Sequence, residues 1–539
     1  MDGKEAAAPW ASAAAVDKAA GRCLKGKGGR LDAVAFRMCR GEEVLGLAGR
    51  LAAGSYSPEP GITFVVEKPK HREVHAAAFR DRVIHHLVHP LVEAKFEPAF
   101  ISDSFACRRG RGTHAAAARL RDLMRRVTRN GAVRAFALSM DIQSFFASIH
   151  KPTLLGLLRR KCPLGGRQGD GLTPWQLIER IVGHDAASVA RRRGDPASFA
   201  RVPPHKHLGA GGPDRGLPIG NLTSQLFANV YLNALDQFVK RTLGAKQYVR
   251  YVDDFVLLHT DPATLVDWEA RIRAFLAQRL QLSAHPTRGP LPVSGGIDFV
   301  GYIVRPGYVL PRRRVVRQLE ERLAVLERPL APTDVPARRC FSIARLGVVR
   351  GPARIWTLNL ASVEALRATW AAYEGHLRHA DAFLLRERLW AEHPTSARLL
   401  RMGAKRRFAL PRLSPSFAAQ VGSLRAGLDG IPLVVQVGAF AELPSLRDAR
   451  RFGLKPRICR RGRRCAGVRL GLARGLVQRA LASQTPIAIA VEDSWSAGNV
   501  KARRLAWLIE PLPRPAARPP PRADANGQFL FSWKPMSPA

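Results

Sequence analysis

The sequence is poor in the features that mark several common protein classes. Its 539 residues include seven scattered cysteines, and no two of them form a Cys-x-x-Cys pair, which favours reduced thiols over disulfides or a zinc site. No apolar run reaches the roughly 18 residues of a membrane-spanning helix, so we expect no membrane association. The first ten residues do not resemble a signal peptide, which makes a cytoplasmic location the expectation. A P-loop is also missing, and this argues against a P-loop ATPase.

Negative charge is scarce as well. The chain has 43 Asp and Glu residues against 86 Lys and Arg residues, which gives a formal net charge of +43 and a pI near 11.4. Such an excess predicts affinity for a polyanion, with a strongly salt-dependent phosphate component. Many of the cations are arginines, whose planar guanidinium groups suit bidentate phosphate contacts.

Because acids are few, their placement is informative. Asp253 and Asp254 are adjacent and lie between the strand-like runs YVRYV and FVLL, a pattern that predicts a β-hairpin with carboxylates at its tip. Upstream, Asp141 closes a second apolar run. A single Asp-Asp pair is most often a solvated turn. Together, however, the three carboxylates match the ligand set of a two-metal phosphoryl-transfer site.

Three segments in a fixed order carry a resemblance to reverse transcriptases. They are the Asp141 strand, the segment 216–225 with the sequence GLPIGNLTSQ, and the YVDD sequence that contains Asp253 and Asp254. Other segments resemble the fingers motifs and the last palm motifs of that family: 67–72, 79–86, 104–114, 282–288 and 296–302. The resemblance covers nearly three quarters of the chain.

This resemblance implies an α+β chain with the right-hand polymerase fold of fingers, palm and thumb, followed by a small α/β module. The implied divisions are an N-terminal helical extension (1–60), fingers and palm (61–310), a helical thumb (311–400), a basic linker (401–417), the α/β module (418–510) and a Pro-rich tail (511–539). The implied activity is RNA-directed DNA polymerisation.

The resemblance also implies roles for individual residues. Asp141 and Asp253 would bind two Mg²⁺ ions, with Mn²⁺ as an alternative, and Asp254 and the backbone of Ile142 would support them. Phe146 occupies the position of the aromatic steric gate that excludes a 2′-hydroxyl. The competing interpretation is that Phe146 is a core residue; neighbours on an extended segment point to opposite faces, so at most one of Phe145 and Phe146 can be the gate.

Further side chains are candidates for substrate and template contacts. Those for the triphosphate are Arg72, Arg80 and Arg82, and those for the template or triphosphate are Arg108, Arg109 and Arg111. In the middle motif, Ile219, Gly220 and Gln225 are expected to lie against the templating base and the incoming nucleotide. With so many arginines, any one of them is more often a solvated or backbone-phosphate contact than a catalytic clamp.

The middle motif narrows the resemblance. Most retroelement enzymes carry Gln-Gly followed three residues later by Ser-Pro, whereas this chain has Ile219-Gly220 and Ser224-Gln225. That departure resembles the reverse transcriptases of diversity-generating retroelements, which copy a template RNA with errors concentrated at adenines. The implied partners are a template RNA, a cDNA or primer strand, dNTPs and an accessory protein of the retroelement. The alternatives are a defence-associated polymerase, another retroelement enzyme such as a group II intron-like one, and a fold that only binds RNA.

The module beyond residue 418 resembles the N-terminal mismatch-recognition domain of MutS-type repair proteins. The order of its segments and the triplet Phe440-Ala441-Glu442 carry this resemblance. It implies that Phe440 stacks on a mispaired base and that Glu442 hydrogen-bonds to that base. The competing interpretation is a general nucleic-acid-binding fold with Phe440 in its core.

Overall fold

The computed structural model describes most of the chain. The described residues are 9–27, 30–67, 70–162, 171–336, 339–343, 347–400, 416–426, 428, 430–458, 464–497 and 500–512. The chain divides into two compact units, one formed by residues 1–312 and 379–381 and the other by residues 313–378 and 382–539. Most of the predicted basic linker and nearly all of the predicted Pro-rich tail lie outside the described residues.

The first unit contains twelve described helices and ten described strands. The helices are α1 (Ala13–Leu24), α2 (Leu31–Met38), α3 (Arg40–Ala52), α4 (Phe79–Phe96), α5 (Thr113–Val127), α6 (Phe145–Ser148), α7 (Lys151–Arg159), α8 (Pro174–Gly183), α9 (Ala186–Val189), α10 (Pro196–Ala200), α11 (Leu222–Gln237) and α12 (Pro262–Leu280). The strands are β1 (Ile62–Val66), β2 (Arg72–Ala76), β3 (Phe136–Asp141), β4 (Arg191–Arg192), β5 (Tyr248–Tyr251), β6 (Asp254–His259), β7 (Leu291–Pro292), β8 (Ile297–Phe299), β9 (Tyr302–Val304) and β10 (Val309–Pro311).

Local sequence explains where several of these helices begin. Helix α12 starts after Asp261, whose carboxylate accepts hydrogen bonds from the first-turn backbone N–H groups of Ala263 and Thr264. Helix α8 starts with a capping box between Thr173 and Gln176. Such caps satisfy backbone donors that have no partner inside the helix.

The sheet at the centre of the first unit has the strand order β5-β6-β3-β7 and is antiparallel throughout. Successive side chains of a strand point to opposite faces of the sheet, and here each face packs into its own hydrophobic core. Leu138, Met140 and Leu257 pack into a core shared with α4, α11 and α12, whereas Ala137 and Val256 pack against α5 and the small sheet β10-β9-β8. Burial on both faces fixes the register of β3 and β6, because a slip of one residue would exchange the two faces.

A separate three-stranded sheet in this unit has the order β2-β1-β4. Strands β1 and β2 form the antiparallel hairpin expected for the fingers segments, and β4 adds to β1 in parallel. The sequence reasoning did not foresee β4, which lies more than a hundred residues after β1.

The second unit is built on an eight-stranded sheet. Its described helices are α13 (Arg313–Glu327), α14 (Leu360–Leu377), α15 (Phe383–Glu392), α16 (Pro394–Leu400), α17 (Phe417–Ala426), α18 (Leu446–Arg451) and α19 (Ala473–Ala482). Its described strands are β11 (Thr333–Val335), β12 (Cys340–Ile343), β13 (Gly347–Arg350), β14 (Ala353–Thr357), β15 (Leu433–Val437), β16 (Phe440–Leu443), β17 (Arg457–Ile458), β18 (Arg464–Arg469), β19 (Ile487–Ala497) and β20 (Val500–Pro511). The sheet order is β11-β14-β20-β19-β15-β16-β18-β17.

This sheet corrects the expectation of an all-helical segment over 311–400. Helices α13 to α16 are present, but four strands lie between α13 and α14, and β14 pairs with β20 from Ala353↔Pro511 to Thr357↔Trp507. The sheet of the C-terminal module therefore takes strands from the segment that the sequence assigned to the thumb. The physical reason is that β14 buries Ala353, Ile355 and Trp356 against partners about 150 residues away.

The described part of the chain shows the state of several cysteines and the character of the helices. Five cysteines of the described residues are free thiols: Cys23, Cys39, Cys107, Cys162 and Cys340. Among the described helices, none combines the length and the apolar character needed to cross a bilayer.

Candidate active site

The β5–β6 hairpin places two carboxylates at its tip, as its sequence predicts. Tyr251 pairs with Asp254 at the end of the ladder, and Val252 and Asp253 form the turn. Val252 has a φ of 54°, a left-handed conformation that is unfavourable for a β-branched residue. Strain of this kind costs on the order of 1–3 kcal/mol and persists only where the surroundings enforce it.

Pairing of β3 with β6 brings the third carboxylate to the same place. Asp141 is the register partner of Asp254, and the backbone N–H of Ile142 donates to the carbonyl oxygen of Asp253 at 3.2 Å. On the other side, the N–H of His285 donates to the carbonyl oxygen of Asp141 at 2.8 Å. Backbone hydrogen bonds thus hold the three acids close together. The prediction that they form a single site requires this proximity.

The carboxylates perturb one another. Desolvation, followed by the negative charge of Asp141, raises the pKa of Asp253 to about 6. Desolvation and the charges of Asp141 and Asp253 raise the pKa of Asp254 to about 8. Desolvation also raises the pKa of Asp141, and electrostatic interactions with His285, Lys70 and Lys206 oppose this shift. The surrounding protein therefore does not stabilise full ionisation of the cluster, and near neutral pH Asp254 keeps its proton.

The chemistry of this donor set fits a hard divalent cation. Carboxylate oxygens are the ligands that Mg²⁺ and Mn²⁺ prefer, and uncompensated negative charge is what such an ion neutralises. Within the described residues, however, no three His, Cys, Asp or Glu side chains are grouped tightly enough to form a closed metal site. The metal-binding roles expected of Asp141, Asp253 and Asp254 therefore stay predictions; Mg²⁺ sites in proteins often use only one or two carboxylates together with substrate phosphates.

A buried ion pair supports the turn formed by Val252 and Asp253. Arg250 and Asp236 are both fully buried, and Arg250 donates to the two carboxylate oxygens of Asp236 at 2.7 and 2.6 Å. Asp236 also accepts a hydrogen bond from the hydroxyl of Tyr248 at 2.8 Å, and Arg250 donates to the hydroxyl of Ser104 at 3.0 Å. The remaining Arg250 nitrogen, Nη1, donates to the carbonyl oxygen of Val252 at 3.0 Å. The strained residue of the turn is therefore held by a charged donor that is itself fixed in the core.

The middle motif contacts the fingers hairpin through its backbone. The N–H of His75 on β2 donates to the carbonyl oxygen of Ile219 at 2.9 Å. Gly220 has a φ of 120°, and a Cβ atom placed there would lie 2.9 Å from the carbonyl oxygen of His75 and 3.2 Å from Cγ1 of Val74. Arg72, at the start of the same strand, lowers the pKa of Asp253 through its positive charge. Strand β2 therefore links Ile219 and Gly220 to the carboxylates.

This contact predicts the effect of Gly220→Ala. The added methyl group must displace β2 from the middle motif, and a displacement of about 1 Å in substrate-positioning residues can cost about 100-fold in rate. Steady-state DNA synthesis measures the loss. Gly212→Ala is the matched control, because Gly212 also has a positive φ, 86°, but has no neighbour within 4 Å of the added Cβ. Equal losses in both variants would attribute the effect to backbone strain alone and contradict the contact argument.

The two phenylalanines after Asp141 differ in exposure. Phe145 is 2% exposed and belongs to the core, whereas Phe146 is half-buried. The reasoning from an extended segment is wrong, because both residues lie in the single helical turn α6. The difference arises from helical geometry: Phe146 is the more exposed of the two, although it also packs against the core, and its role as steric gate stays a prediction. The carbonyl oxygen of Phe146 accepts a hydrogen bond from the N–H of Leu217 at 2.8 Å.

The arginines proposed for the triphosphate differ in their partners. Arg80 forms ion pairs with Glu43 and Glu59, and Arg82 forms one with Asp32. Both guanidinium groups are thus already engaged by carboxylates from the N-terminal segment. Of the three candidates, Arg72 alone has a charge that is felt at the carboxylate cluster.

The arginines proposed for the template also differ in their burial and in their hydrogen-bond partners. Arg108 is buried, pairs with Glu97 and donates to the carbonyl oxygens of Ile101 and Ser104, which makes it a structural residue and corrects its assignment to nucleic-acid binding. Arg111 donates to the carbonyl oxygen of Ser102. Arg109 is exposed, as is Gln225 in the first turn of α11. Exposure leaves Arg109 and Gln225 available for the contacts predicted for them.

Sequence reasoning missed several residues at this site. Lys70, Lys206 and His285 act on Asp141 through their charge, and Arg250 and Asp236 support the turn. The only sequence signal for Arg250 is its position directly before the YVDD sequence, inside a strand that is otherwise apolar. A charge in such a strand requires a buried partner.

In the second unit, Phe440 lies at the start of β16 and is 49% exposed. The interpretation of Phe440 as a core residue is therefore wrong. Glu442 lies two residues further along the same strand, where alternation places it on the same face, and it acts electrostatically on Arg503.

Comparisons with known proteins can be set beside this geometry. No protein-family model matches the chain. Protein YkfC of Escherichia coli K12 is 24% identical over 315 residues, which are 52% of this chain and 75% of that protein. The group II intron-encoded protein LtrA of Lactococcus lactis subsp. cremoris is 27% identical over 201 residues, which are 37% of this chain but only 28% of LtrA. The similarity to LtrA supports a reverse transcriptase-like chain.

Two solved telomerase structures also match at low identity. Telomerase from Candida albicans, in complex with a fragment of telomeric RNA, aligns with 60% of this chain and 57% of that chain at 11% identity and a TM-score of 0.33. Telomerase from Candida tropicalis aligns with 51% of this chain and 50% of that chain at 10% identity and a TM-score of 0.35.

Proposed function

We propose that this chain is an RNA-templated DNA polymerase. The observation that carries the proposal is the convergence of Asp141, Asp253 and Asp254 through the β3–β6 pairing and the β5–β6 turn. Desolvation, followed by the charge of neighbouring carboxylates, raises the pKa values of Asp253 and Asp254, which distinguishes them from the solvated acids of an ordinary turn. A protein that only binds RNA has no use for three clustered carboxylates, which repel the RNA backbone.

In this proposal the residues of the site have separate roles. Asp141, Asp253 and Asp254 would hold the Mg²⁺ ions, which when bound supply charge stabilisation at the attacking and leaving oxygens of phosphoryl transfer. Arg72, whose positive charge lowers the pKa of Asp253, is the fingers cation that we propose for the triphosphate. Ile219 and Gly220 form the contact between fingers and palm, against which the templating base and the incoming nucleotide are expected to pack.

Sugar selection in this proposal depends on Phe146. Phe146→Val should raise the efficiency of ribonucleotide incorporation relative to deoxynucleotide incorporation by about 10- to 200-fold, the range expected when a pocket gains or loses small groups. The ratio of kcat/KM values for matched rNTP and dNTP pairs measures it. Phe145→Leu is the control, because this neighbour is buried; it should lower the melting temperature and leave sugar selection unchanged. An unchanged ratio in Phe146→Val would remove Phe146 from the sugar site.

We further propose that the polymerase belongs to a diversity-generating retroelement. The support is the departure at Ile219 and Gln225 from the common motif, because altered packing at the nucleotide weakens discrimination by about 1–3 kcal/mol per lost contact. Deep sequencing of cDNA made from the noncoding RNA encoded beside the gene tests this. Substitutions concentrated opposite template adenines are expected. A faithful copy would favour a group II intron-like role, and DNA unrelated to the template would favour a defence-associated polymerase.

For the second unit we propose binding of distorted base pairs. The support is the exposure of Phe440, since a half-exposed aromatic ring on a strand is free to stack on a base, a contact worth about 1–3 kcal/mol. The full chain should bind a mismatched RNA–DNA duplex more tightly than the matched duplex, and Phe440→Ala should abolish that preference. Equal affinities of the parent chain for both duplexes would leave Phe440 without this role.

A further inference from the structure

The sheet β2-β1-β4 has one face that is only partly covered: Val74 lies close to Gly220 of the middle motif, while Ile62 and Val66 are exposed. In the β1–β2 ladder Ile62 pairs with Ala76, Phe64 with Val74, and Val66 with Arg72, and paired residues share a face. The residues between them face the other way: Thr63 and His75 are buried and form a side-chain hydrogen bond of 2.8 Å. On the outer face Ile62 is 37% exposed, Val66 is 40% exposed and Phe64 is half-buried.

Strand β4 extends this outer face with arginines. Arg191 pairs with Ile62 in parallel, so its side chain lies on the outer face, and strand alternation places Arg193 on the same face. Their backbones are fixed, because the N–H groups of Arg191 and Arg193 donate to the carbonyl oxygens of Gly61 and Thr63 at 3.0 and 2.8 Å. Both side chains are exposed.

In the described part of the chain, neither of these two arginines has a counter-ion, in contrast to the fingers arginines Arg80 and Arg82. Within the described residues neither Arg191 nor Arg193 lies within 4 Å of a carboxylate, whereas Arg80 and Arg82 are both paired. Arg192, on the opposite face, lies over the ring of Phe199 at 5.5 Å. Two unpaired guanidinium groups beside a partly exposed aromatic ring are the elements of a single-strand nucleic-acid surface, in which cations contact phosphates and rings contact bases.

The surface is continuous with the proposed active site. The opposite edge of the same sheet is β2, which is hydrogen-bonded to Ile219 through His75 and carries Arg72, whose charge acts on Asp253. Strands lie about 4.8 Å apart, so β4 is about 10 Å from β2. At about 3.4 Å per nucleotide along a stacked strand, this distance corresponds to roughly three nucleotides.

We propose that Arg191 and Arg193 bind phosphates of the single-stranded template about three nucleotides ahead of the templating base, with Phe64 contacting the bases between. This inference rests on the proposed polymerase function and adds a template-binding surface to it. It also assigns a role to β4. From the sequence alone, its run of three arginines could equally be a solvated loop.

The test compares the full-length parent chain with an Arg191→Gln/Arg193→Gln variant. The probe is a fluorescent primer–template whose RNA strand has a single-stranded 5′ overhang, and binding is measured by anisotropy in Mg²⁺ between about 50 and 300 mM salt. Each lost phosphate contact on a single strand lowers the slope of log K against log salt by about 0.7, so two contacts should lower it by about 1.4. A blunt primer–template without the overhang should bind both proteins equally.

A matched control removes the same charge elsewhere. Arg241 and Arg279 are exposed residues of the first unit outside this sheet, and Arg241→Gln/Arg279→Gln lowers the net charge equally. The proposal predicts that this control keeps the parent slope. It is overturned if both double variants show the same slope and affinity, or if the loss in the β4 variant persists on the blunt primer–template.

Failure of the surface and failure of the polymerase function give different results. A parent chain that binds the overhang through Arg191 and Arg193 but makes no DNA would contradict the function and leave the surface in place. A parent chain that makes template-dependent DNA, with a β4 variant of unchanged overhang affinity, would contradict the surface alone. At saturating template the β4 variant should retain the parent kcat, because neither arginine contacts the carboxylates.

Discussion

Asp253→Asn should lower the rate of DNA synthesis by more than about 100-fold. The same variant should nevertheless unfold at a higher temperature than the parent chain. The activity loss follows because Asp253 is a proposed ligand of the catalytic ions, and even residues that only support ligands cost 10- to 100-fold when removed. The stability gain follows because desolvation and the charge of Asp141 raise the pKa of Asp253 to about 6 in the folded state, above the value of about 4 in the unfolded chain. This difference costs folding free energy that grows between about pH 4 and pH 6 and persists above it, and an amide, which does not ionise, avoids the cost.

Primer extension and thermal unfolding in the absence of divalent ions measure the two effects on the same preparations. Asp254→Asn should behave in the same way, since its carboxylate feels both neighbours. Asp267→Asn is the isosteric control, because Asp267 is an exposed residue of α12 with a surface partner in Arg271; neither activity nor stability should change. Loss of stability in Asp253→Asn would show that the acid has a structural role and would contradict the picture of a repulsive ligand cluster.

The second large effect concerns the buried ion pair behind the turn. Replacing Asp236 by Leu leaves the charge of Arg250 buried without its partner and should cost about 3–5 kcal/mol of folding free energy. In Arg250→Met/Asp236→Leu both charges are gone, so this double variant should be more stable than the Asp236→Leu single variant. Its DNA synthesis should nevertheless stay about 10- to 100-fold below that of the parent chain, as for other residues that position ligands.

The reason for this separation is the hydrogen bond from Arg250 Nη1 to the carbonyl oxygen of Val252. It is the charged donor that holds the left-handed turn, and a methionine does not replace it. Denaturant unfolding and primer extension across a Mg²⁺ titration measure the two properties. The Mg²⁺ concentration for half-maximal activity should rise in the double variant, a shift that a loss of stability alone does not produce. Parental activity in the double variant would show that the turn keeps its conformation without the hydrogen bond from Arg250.

The sequence predicted the catalytic hairpin because the information there is local. Two apolar runs flank the acids, and strand pairing needs only a two-residue turn. The Asp141 strand was predicted for the same reason. The support of the turn was not predictable in this way: Arg250 resembles any other arginine in an arginine-rich chain, and its partner Asp236 lies on a helix 14 residues earlier.

Long-range pairing also explains the other differences. Strand β14 was assigned to a helical thumb because its partner β20 follows about 150 residues later, and β4 was not foreseen because its partner β1 precedes it by more than a hundred. The roles expected of Arg80, Arg82 and Arg108 depended on motif position. Which arginines are free is decided by where the scarce carboxylates fold, and that is a property of the tertiary structure.

The central claim is that DNA synthesis here is directed by an RNA template and depends on the clustered carboxylates. The most direct measurement incubates the purified full-length chain with Mg²⁺, dNTPs and an annealed DNA primer on an RNA of defined sequence, and sequences the extended products. The parent chain should produce DNA complementary to that RNA, and the Asp253→Asn/Asp254→Asn variant should produce none. Products unrelated to the template, or equal synthesis by the double variant, would contradict the account.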